Sequence, residues 1–339
     1  MRAYLLEDIP SLLTHLGKDR QLFAPQHIED GDLHWLPADA ASEPALDSKP
    51  LLPLSSPKAF FFAERETLFR FDGSNFIETL PEVEPQALFG VRSCDLCAIT
   101  YQDQFFKQDP YYQARRQATL LIGLDCLEPC DGGFCPTVDA GPFVREGMAD
   151  LILQHHEQGW LLIAASDKGK KSIDGLPLPP APSDWQVQRE RHEHEIAARF
   201  PDATHIEAGV QFLNSGEVAA TTWEAMGLQC LSCSGCTSLC PSCSCFATFE
   251  HPTEEADNGF ERERCWDSCL YEAFQREASG HNPGAKAGAR VERFWFHKFS
   301  DDYTAEFGRY GCVGCGRCER ICPGVIGVHS VMKRISAQS

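Results

Sequence analysis

Cys230-Leu231-Ser232-Cys233-Ser234-Gly235-Cys236-Thr237-Ser238-Leu239-Cys240-Pro241 and Cys312-Val313-Gly314-Cys315-Gly316-Arg317-Cys318-Glu319-Arg320-Ile321-Cys322-Pro323 decide the reading of this chain. Both runs match the C-x2-C-x2-C-x3-C-P spacing of bacterial ferredoxins. Two intervening residues let three thiolates curl round one four-iron core, while the fourth thiolate points away and serves the neighbouring core. On that geometry Cys230, Cys233, Cys236 and Cys322 hold one 4Fe-4S cluster, and Cys312, Cys315, Cys318 and Cys240 hold the other. The crossing staples the two runs together. The fourth cysteine is expected to start a helix whose first turn takes the proline, and Gly235, Gly314 and Gly316 let backbone N–H groups approach the sulfides.

Competing readings are weaker. Zinc sites also use four cysteines in C-x2-C pairs, but two full matches with eight ligands favour iron–sulfur chemistry. Inert core thiols have no reason to recur at fixed intervals. Cys236-x3-Cys240-x2-Cys243 matches the triplet of radical S-adenosylmethionine enzymes, yet its first two members belong to the ferredoxin run and no repeating strand–helix barrel surrounds it. The segment between the runs is longer than a compact ferredoxin needs, which favours a helical dicluster domain over a small ββ ferredoxin. Within it lie Cys243, Cys245, Cys265 and Cys269, read first as thiols packed round the clusters and otherwise as an extra redox or ligand position.

Outward from these runs, 339 residues imply about two domains. Seventeen cysteines, odd in number and tightly grouped, point to metal ligation in a reducing compartment rather than to a disulfide framework. The net charge of −19 argues against a nucleic-acid partner. No apolar run reaches the roughly 18 to 20 residues of a membrane helix, and Glu7 and Asp8 interrupt any leader, so a cytoplasmic location is expected.

The fold class expected is α+β. Residues 1–170 read as an α/β domain, 171–220 as a linker followed by a charged helix, and 221–339 as a mainly helical, ferredoxin-like domain. Leu5, Leu6, Ile9, Leu12, Leu13 and Leu16 predict an opening helix ending at Gly17. Strands are predicted at Gln21–Pro25, Ala59–Ala63, Leu68–Phe71, Ala87–Val91, Leu120–Leu124 and Trp160–Ala165. A helix is predicted after Pro142, through Met148, Leu151, Ile152 and His155. The Lys/Gly/Pro stretch from Asp167 to Pro182 reads as a boundary, and Gln186–Phe200 as a helix with a solvated face.

Cys94 and Cys97 follow one predicted strand, and Cys126, Cys130 and Cys135 follow the next strong one. Five thiols at two neighbouring strand ends can converge, so a third iron–sulfur cluster is expected there, a zinc site or unligated thiols being the alternatives. Arg92 beside it favours thiolates.

These motifs together resemble, over nearly the whole chain, the iron–sulfur beta subunit of cytosolic nickel–iron sulfhydrogenases and its relative, the iron–sulfur subunit of anaerobic sulfite reductase. The resemblance rests on Phe23-Ala24-Pro25, Ser56-Pro57-Lys58, Glu66-Thr67-Leu68, Gly90-Val91-Arg92-Ser93-Cys94-Asp95-Leu96 and Asp109-Pro110-Tyr111-Tyr112. It continues through Cys240-Pro241-Ser242-Cys243-Ser244-Cys245, Trp266-Asp267-Ser268-Cys269, Gly280-His281-Asn282-Pro283 and His297-Lys298. The family usually has C-F-C where this chain has Gly133-Phe134-Cys135, and it typically lacks cysteine at the positions of Cys97 and Cys130. Cys94, Cys126, Cys130 and Cys135 are therefore favoured for the third cluster, with Cys97 as substitute.

The resemblance implies an electron relay between a flavin subunit that handles NAD(P)H and a catalytic partner, either a nickel–iron hydrogenase (small and large subunits) or a sirohaem sulfite reductase. The hydrogenase is favoured. No G-x-G-x-x-G or Walker-type loop occurs, so no flavin or nucleotide is expected on this chain. The acidic balance should lower cluster potentials. A different class of function, a self-contained sulfur-compound or disulfide reductase using the surplus cysteines, needs an acid or base such as His251, His281 or His297. Lone histidines are more often structural, so catalysis by this chain alone is not expected.

Overall fold

Short apolar runs bounded by Gly, Pro or Asp build most of the strands of two sheets. In the computed structural model, which describes residues 1–46, 52–253 and 258–338, the strands are β1 (Arg2–Leu6), β2 (Gln21–His27), β3 (Leu33–Ala38), β4 (Arg65–Phe71), β5 (Phe76–Glu78), β6 (Gln86–Arg92), β7 (Thr119–Leu124), β8 (Leu151–His156), β9 (Gly159–Ala164), β10 (Phe246–Pro252) and β11 (Phe260–Trp266). Seven form one sheet in the order β1-β9-β8-β7-β6-β2-β3. Its centre is parallel, β2 with β6, β6 with β7 and β7 with β8, and its edges are antiparallel.

Every residue of β7 is buried, as a parallel strand covered on both faces must be. One face packs on the helix Ile9–Leu16 through Leu12, Leu13 and Leu16. The other packs on the helix Ser93–Phe105 through Leu96 and Ile99, with Phe61 and Phe62 beside them. The C-terminal part is mainly helical, and the helices Thr204–Ser215, Ala220–Gln229, Ala287–Phe299 and Val328–Ser336 share one core containing Trp223, Met226, Phe294, Trp295, Val331 and Met332. That core also takes in Cys94, Phe134 and Cys135 from the first part of the chain. The second sheet, in the order β10-β11-β4-β5, pairs the hairpin lying between the two cysteine runs with a hairpin from the first part. The fold is α+β, with the dicluster region at its C-terminal end.

Several local expectations change. The opening segment splits into β1 and a helix that starts only at Ile9, because Asp8 caps it by accepting from the Ser11 N–H. Ala59–Ala63 is not a strand: Pro57–Phe60 is a 3-10 turn whose first position proline suits. The segment after Pro142 contains β8 in place of a helix. Leu151, Ile152 and Leu153 are a continuous apolar run buried between two strands, and such a run does not tell strand from helix by periodicity. The stretch read as a boundary opens with the short helix Asp167–Ser172, capped by Ser166. The helix Trp185–Ala197 agrees with expectation.

Candidate iron–sulfur centres

The first cysteine run follows the helix Ala220–Gln229, and the second precedes the helix Val328–Ser336. In each, the third cysteine sits in a short helix, Gly235–Ser238 or Arg317–Ile321. The fourth cysteine lies beyond that helix; it does not open a new one, and Pro241 and Pro323 stand in turns. Ser234 and Gly316, at φ of 60° and 73°, reverse the chain just before the third cysteine.

Cys230, Cys233, Cys236 and Cys322 line one cavity, walled by Leu270, Val291, Phe294, Trp295 and Ile326. Cys240, Cys312, Cys315 and Cys318 line a second, walled by Phe134, Phe294 and Trp295. The fourth cysteine of each run thus reaches the cavity of the other run. Cys236 also borders the second cavity, and the helix Ala287–Phe299 supplies Phe294 and Trp295 to both. Backbone N–H groups aim at the sulfurs: Gly314 donates to Cys312 Sγ and Ile326 to Cys322 Sγ, each at 3.4 Å. Such bonds are one means of tuning cluster potential.

The donor set fits a polynuclear cationic core. Burial first, and then the neighbouring thiolates, push Cys236 up to about 12. Burial likewise pushes Cys312 to about 12. Four thiolates confined together are costly, and a multivalent iron core offsets that cost. Among the described residues no three His, Cys, Asp or Glu side chains converge as they would on a single metal ion.

In the first part of the chain, Cys94 opens the helix after β6, and Cys126, Cys130 and Cys135 occupy the segment after the adjacent parallel strand β7. Each of Cys94, Cys126 and Cys130 lies within electrostatic reach of another member, and Cys135 feels Cys126 and Cys130. Burial raises all four, with Arg92 opposing it at Cys126. The role read for Arg92 therefore survives only as a partial counterweight. Cys97 is turned to Met148, Sγ to Sδ 3.6 Å, and to the Arg309 guanidinium, although Cys135 also feels it.

The departure from the family's C-F-C has a structural counterpart. A Cβ placed on Gly133 would lie 2.3 Å from Cys130 Sγ, so the Cys130 sulfur fills the space into which a side chain at 133 would point.

This third group abuts the second cysteine run. The Phe134 N–H donates to the Gly314 carbonyl at 2.8 Å, and a Cβ on Gly314, whose φ is 63°, would meet Cys135 N at 2.6 Å. His329 Nε2 contacts the Gly132 carbonyl at 2.9 Å. Cys315 is electrostatically coupled to Cys94, Cys130 and Cys135.

The candidate histidines do not converge on a site. His251 is on β10, beside Glu263 and Arg65. His281 is exposed, and His297 is half-buried against Tyr303. Sequence reading assigned no role to Lys58, Lys298 or the Arg317–Asp95 pair, all buried beside the thiols. A lysine in an apolar stretch, such as Lys298 within Phe294–Phe299, is the signal that could have marked one of them.

The family model for the 4Fe-4S dicluster domain matches residues 229–326. The chain is 26% identical over 326 residues to the protein described as Sulfhydrogenase 2 subunit beta of Pyrococcus furiosus, covering 94% of this chain and 93% of the relative. No solved structure matches. The chain is an iron–sulfur protein with a 4Fe-4S dicluster domain in its C-terminal part, similar along nearly its whole length to a sulfhydrogenase beta subunit, as its ordered motifs indicated.

Proposed function

We propose that this chain is an electron-transfer subunit that relays electrons between a flavin subunit using NAD(P)H and a nickel–iron hydrogenase of the sulfhydrogenase type. One observation carries the reading: three thiol groups stand in series, Cys236 bordering both dicluster cavities and Gly314 of the second run packed against Phe134 and Cys135 of the third group. Cys230, Cys233, Cys236 and Cys322 would hold the first cluster; Cys312, Cys315, Cys318 and Cys240 the second; Cys94, Cys126, Cys130 and Cys135 the third. When bound, iron–sulfur clusters supply one-electron redox steps without bond-making at a substrate.

The chain's own residues supply the rest. Phe294 and Trp295 back both cavities and Phe134 helps close the second, and the Gly314 and Ile326 N–H groups stabilise thiolate charge. Cys233 is exposed and Leu231 is 68% exposed at the rim of the first cavity, which gives that end an open approach for a partner. The net charge of −19 disfavours an added electron and so lowers potentials. Flavin and nucleotide belong to the partner on this reading.

The test is Cys236→Ala in the assembled complex. Electron flow from NAD(P)H to the hydrogenase should be lost while flavin-side and hydrogenase-side half-reactions with artificial dyes persist. Unchanged coupled turnover would overturn the relay.

A further inference from the structure

Four cysteines are left over by the twelve thiols assigned above and by Cys97: Cys243, Cys245, Cys265 and Cys269. Two of them meet at the base of the hairpin β10–β11. The register pairs Phe246 with Trp266, so the chain enters the hairpin from Cys245 and leaves it through Asp267. The Asp267 N–H donates to the Cys245 carbonyl at 3.0 Å, and the turn that follows brings Cys269 back onto Cys245. The thiol and the backbone N–H of Cys269 lie close enough to the Cys245 sulfur to stabilise its thiolate. Cys245 is half-buried, whereas Cys269 is only 6% exposed.

Two ammonium groups face this pair. Lys58 and Lys298 are 3% and 6% exposed, and their hydrogen bonds run only to uncharged groups among the described residues. Lys58 Nζ donates to the Thr237 and Cys243 carbonyls and lies 4.1 Å from the centre of the Trp266 ring. Lys298 Nζ donates to Ser242 Oγ at 3.0 Å and to the Gly311 carbonyl at 3.1 Å. A buried cation needs an anionic partner, and the groups of opposite charge that act most strongly on these lysines include the sulfurs of Cys240, Cys243 and Cys245. The hydrogen bonds from Cys269, with Lys298 and Lys58 adding, outweigh burial and hold the Cys245 thiol down to about 6. A partly exposed thiolate backed by cations and by a buried second thiol is the arrangement of a reactive cysteine pair.

We propose that Cys245 and Cys269 are a redox-active dithiol that exchanges with a disulfide, either a small molecule or one on a protein surface. The Cys245 thiolate attacks one sulfur of R–S–S–R, the S–S bond breaks and RS⁻ leaves, giving a mixed disulfide on Cys245. The Cys269 sulfur then attacks Cys245 Sγ, the second RS⁻ leaves, and the Cys269 proton goes to a departing thiolate. Cys245 and Cys269 together lose two electrons and the incoming disulfide gains two. Cys269, with Lys298 and Lys58 adding, holds the attacking sulfur ionised. The proposal goes beyond the electron relay and does not require it.

The experiment uses the full chain purified anaerobically with its iron, equilibrated with reduced and oxidised glutathione, quenched with acid, alkylated and mapped by peptide mass spectrometry. The expected product is an internal Cys245–Cys269 cross-link that appears with glutathione disulfide and disappears with dithiothreitol, at constant iron and acid-labile sulfide. In Cys269→Ser the reaction should stall after the first step, leaving at least tenfold more glutathione on Cys245 with iron content unchanged. Absence of both the cross-link in the unsubstituted chain and the adduct in the variant would overturn the proposal. Loss of about four irons per chain from Cys269→Ser or Cys245→Ser would also overturn it, because the pair would then be cluster ligands. Should Cys269→Ser fail to fold, the cross-link map of the unsubstituted chain decides alone. An iron-free unsubstituted chain would sink the relay and leave the thiol pair to be judged on its cross-link.

Discussion

Arg317 and Asp95 form a two-point ion pair, Nη1 to Oδ1 at 2.6 Å and Nη2 to Oδ2 at 2.8 Å, with both residues 1% exposed. Arg317 lies between Cys315 and Cys318, and Asp95 follows Cys94, so the pair locks the second cysteine run to the third thiol group. Arg317 Nε also donates to the Pro53 and Leu54 carbonyls, so each of its three nitrogens has a partner. Removing one partner strands a charge in a water-free interior. Asp95→Asn should therefore cost about 3–5 kcal/mol, read as a lowered denaturation midpoint of the anaerobic protein. A midpoint unchanged within error would show that the pair contributes nothing to holding the two parts together.

The crossing of the two runs makes a sharper prediction. Cys322 lines the cavity of the first run and Cys240 that of the second. Cys322→Ser should alter the same electron paramagnetic resonance signal as Cys233→Ser, and Cys240→Ser the same signal as Cys315→Ser. If instead Cys322→Ser perturbs the signal that responds to Cys315→Ser, each run holds its own cluster and the interlock is wrong.

Position 133 offers a rescue experiment. Because the Cys130 sulfur stands where a side chain at 133 would point, Cys130→Ser should remove about four irons, and the double variant Cys130→Ala with Gly133→Cys, which clears that space, should restore them. Cys97→Ser, whose sulfur faces Met148 and Arg309, should leave the iron count intact. Iron loss from Cys97→Ser, with none from Cys130→Ser, would reverse the assignment.

Acid should destabilise the chain through His297. Burial first, then Lys298 and Arg293, push this imidazole down to about 4 from its ordinary 6.5. The unfolded chain therefore binds the extra proton between those values. The stability contribution is complete above pH 6.5 and is lost as pH falls toward 4. Between pH 7.5 and 5.5 the loss from this group is about 1 kcal/mol. Denaturation midpoints of the parent and of His297→Gln, compared at the two pH values, should show the smaller pH sensitivity in the variant; equal sensitivity would rule this histidine out as the source.

Much of the molecule is local in origin. The two cysteine runs announced a dicluster domain because the chain must curl within a few residues to place three thiols round one core, and that requirement is written in consecutive positions. The apolar runs of β6, β7 and β9 were legible for the same reason. β8 was not, since a short apolar run buried on both sides has no period to distinguish strand from helix. The hairpin β10–β11 was also missed. Its strands carry charged residues that are stabilised by cross-strand partners, Arg264 with Glu66 and Arg65 with Glu263, which lie far away in sequence.

What the amino-acid order determined by itself is the donor inventory: which thiols come in runs, how each run curls, and that iron–sulfur chemistry suits them. What only the tertiary structure decided is the company those thiols keep. The turn of Cys97 toward Met148, the meeting of Cys245 with Cys269 and the burial of Lys58 and Lys298 against sulfur all join residues distant along the chain. Such contacts depend on how sheets and helices pack, and close packing places a side chain by the volume its neighbours leave, which spacing along the chain does not encode.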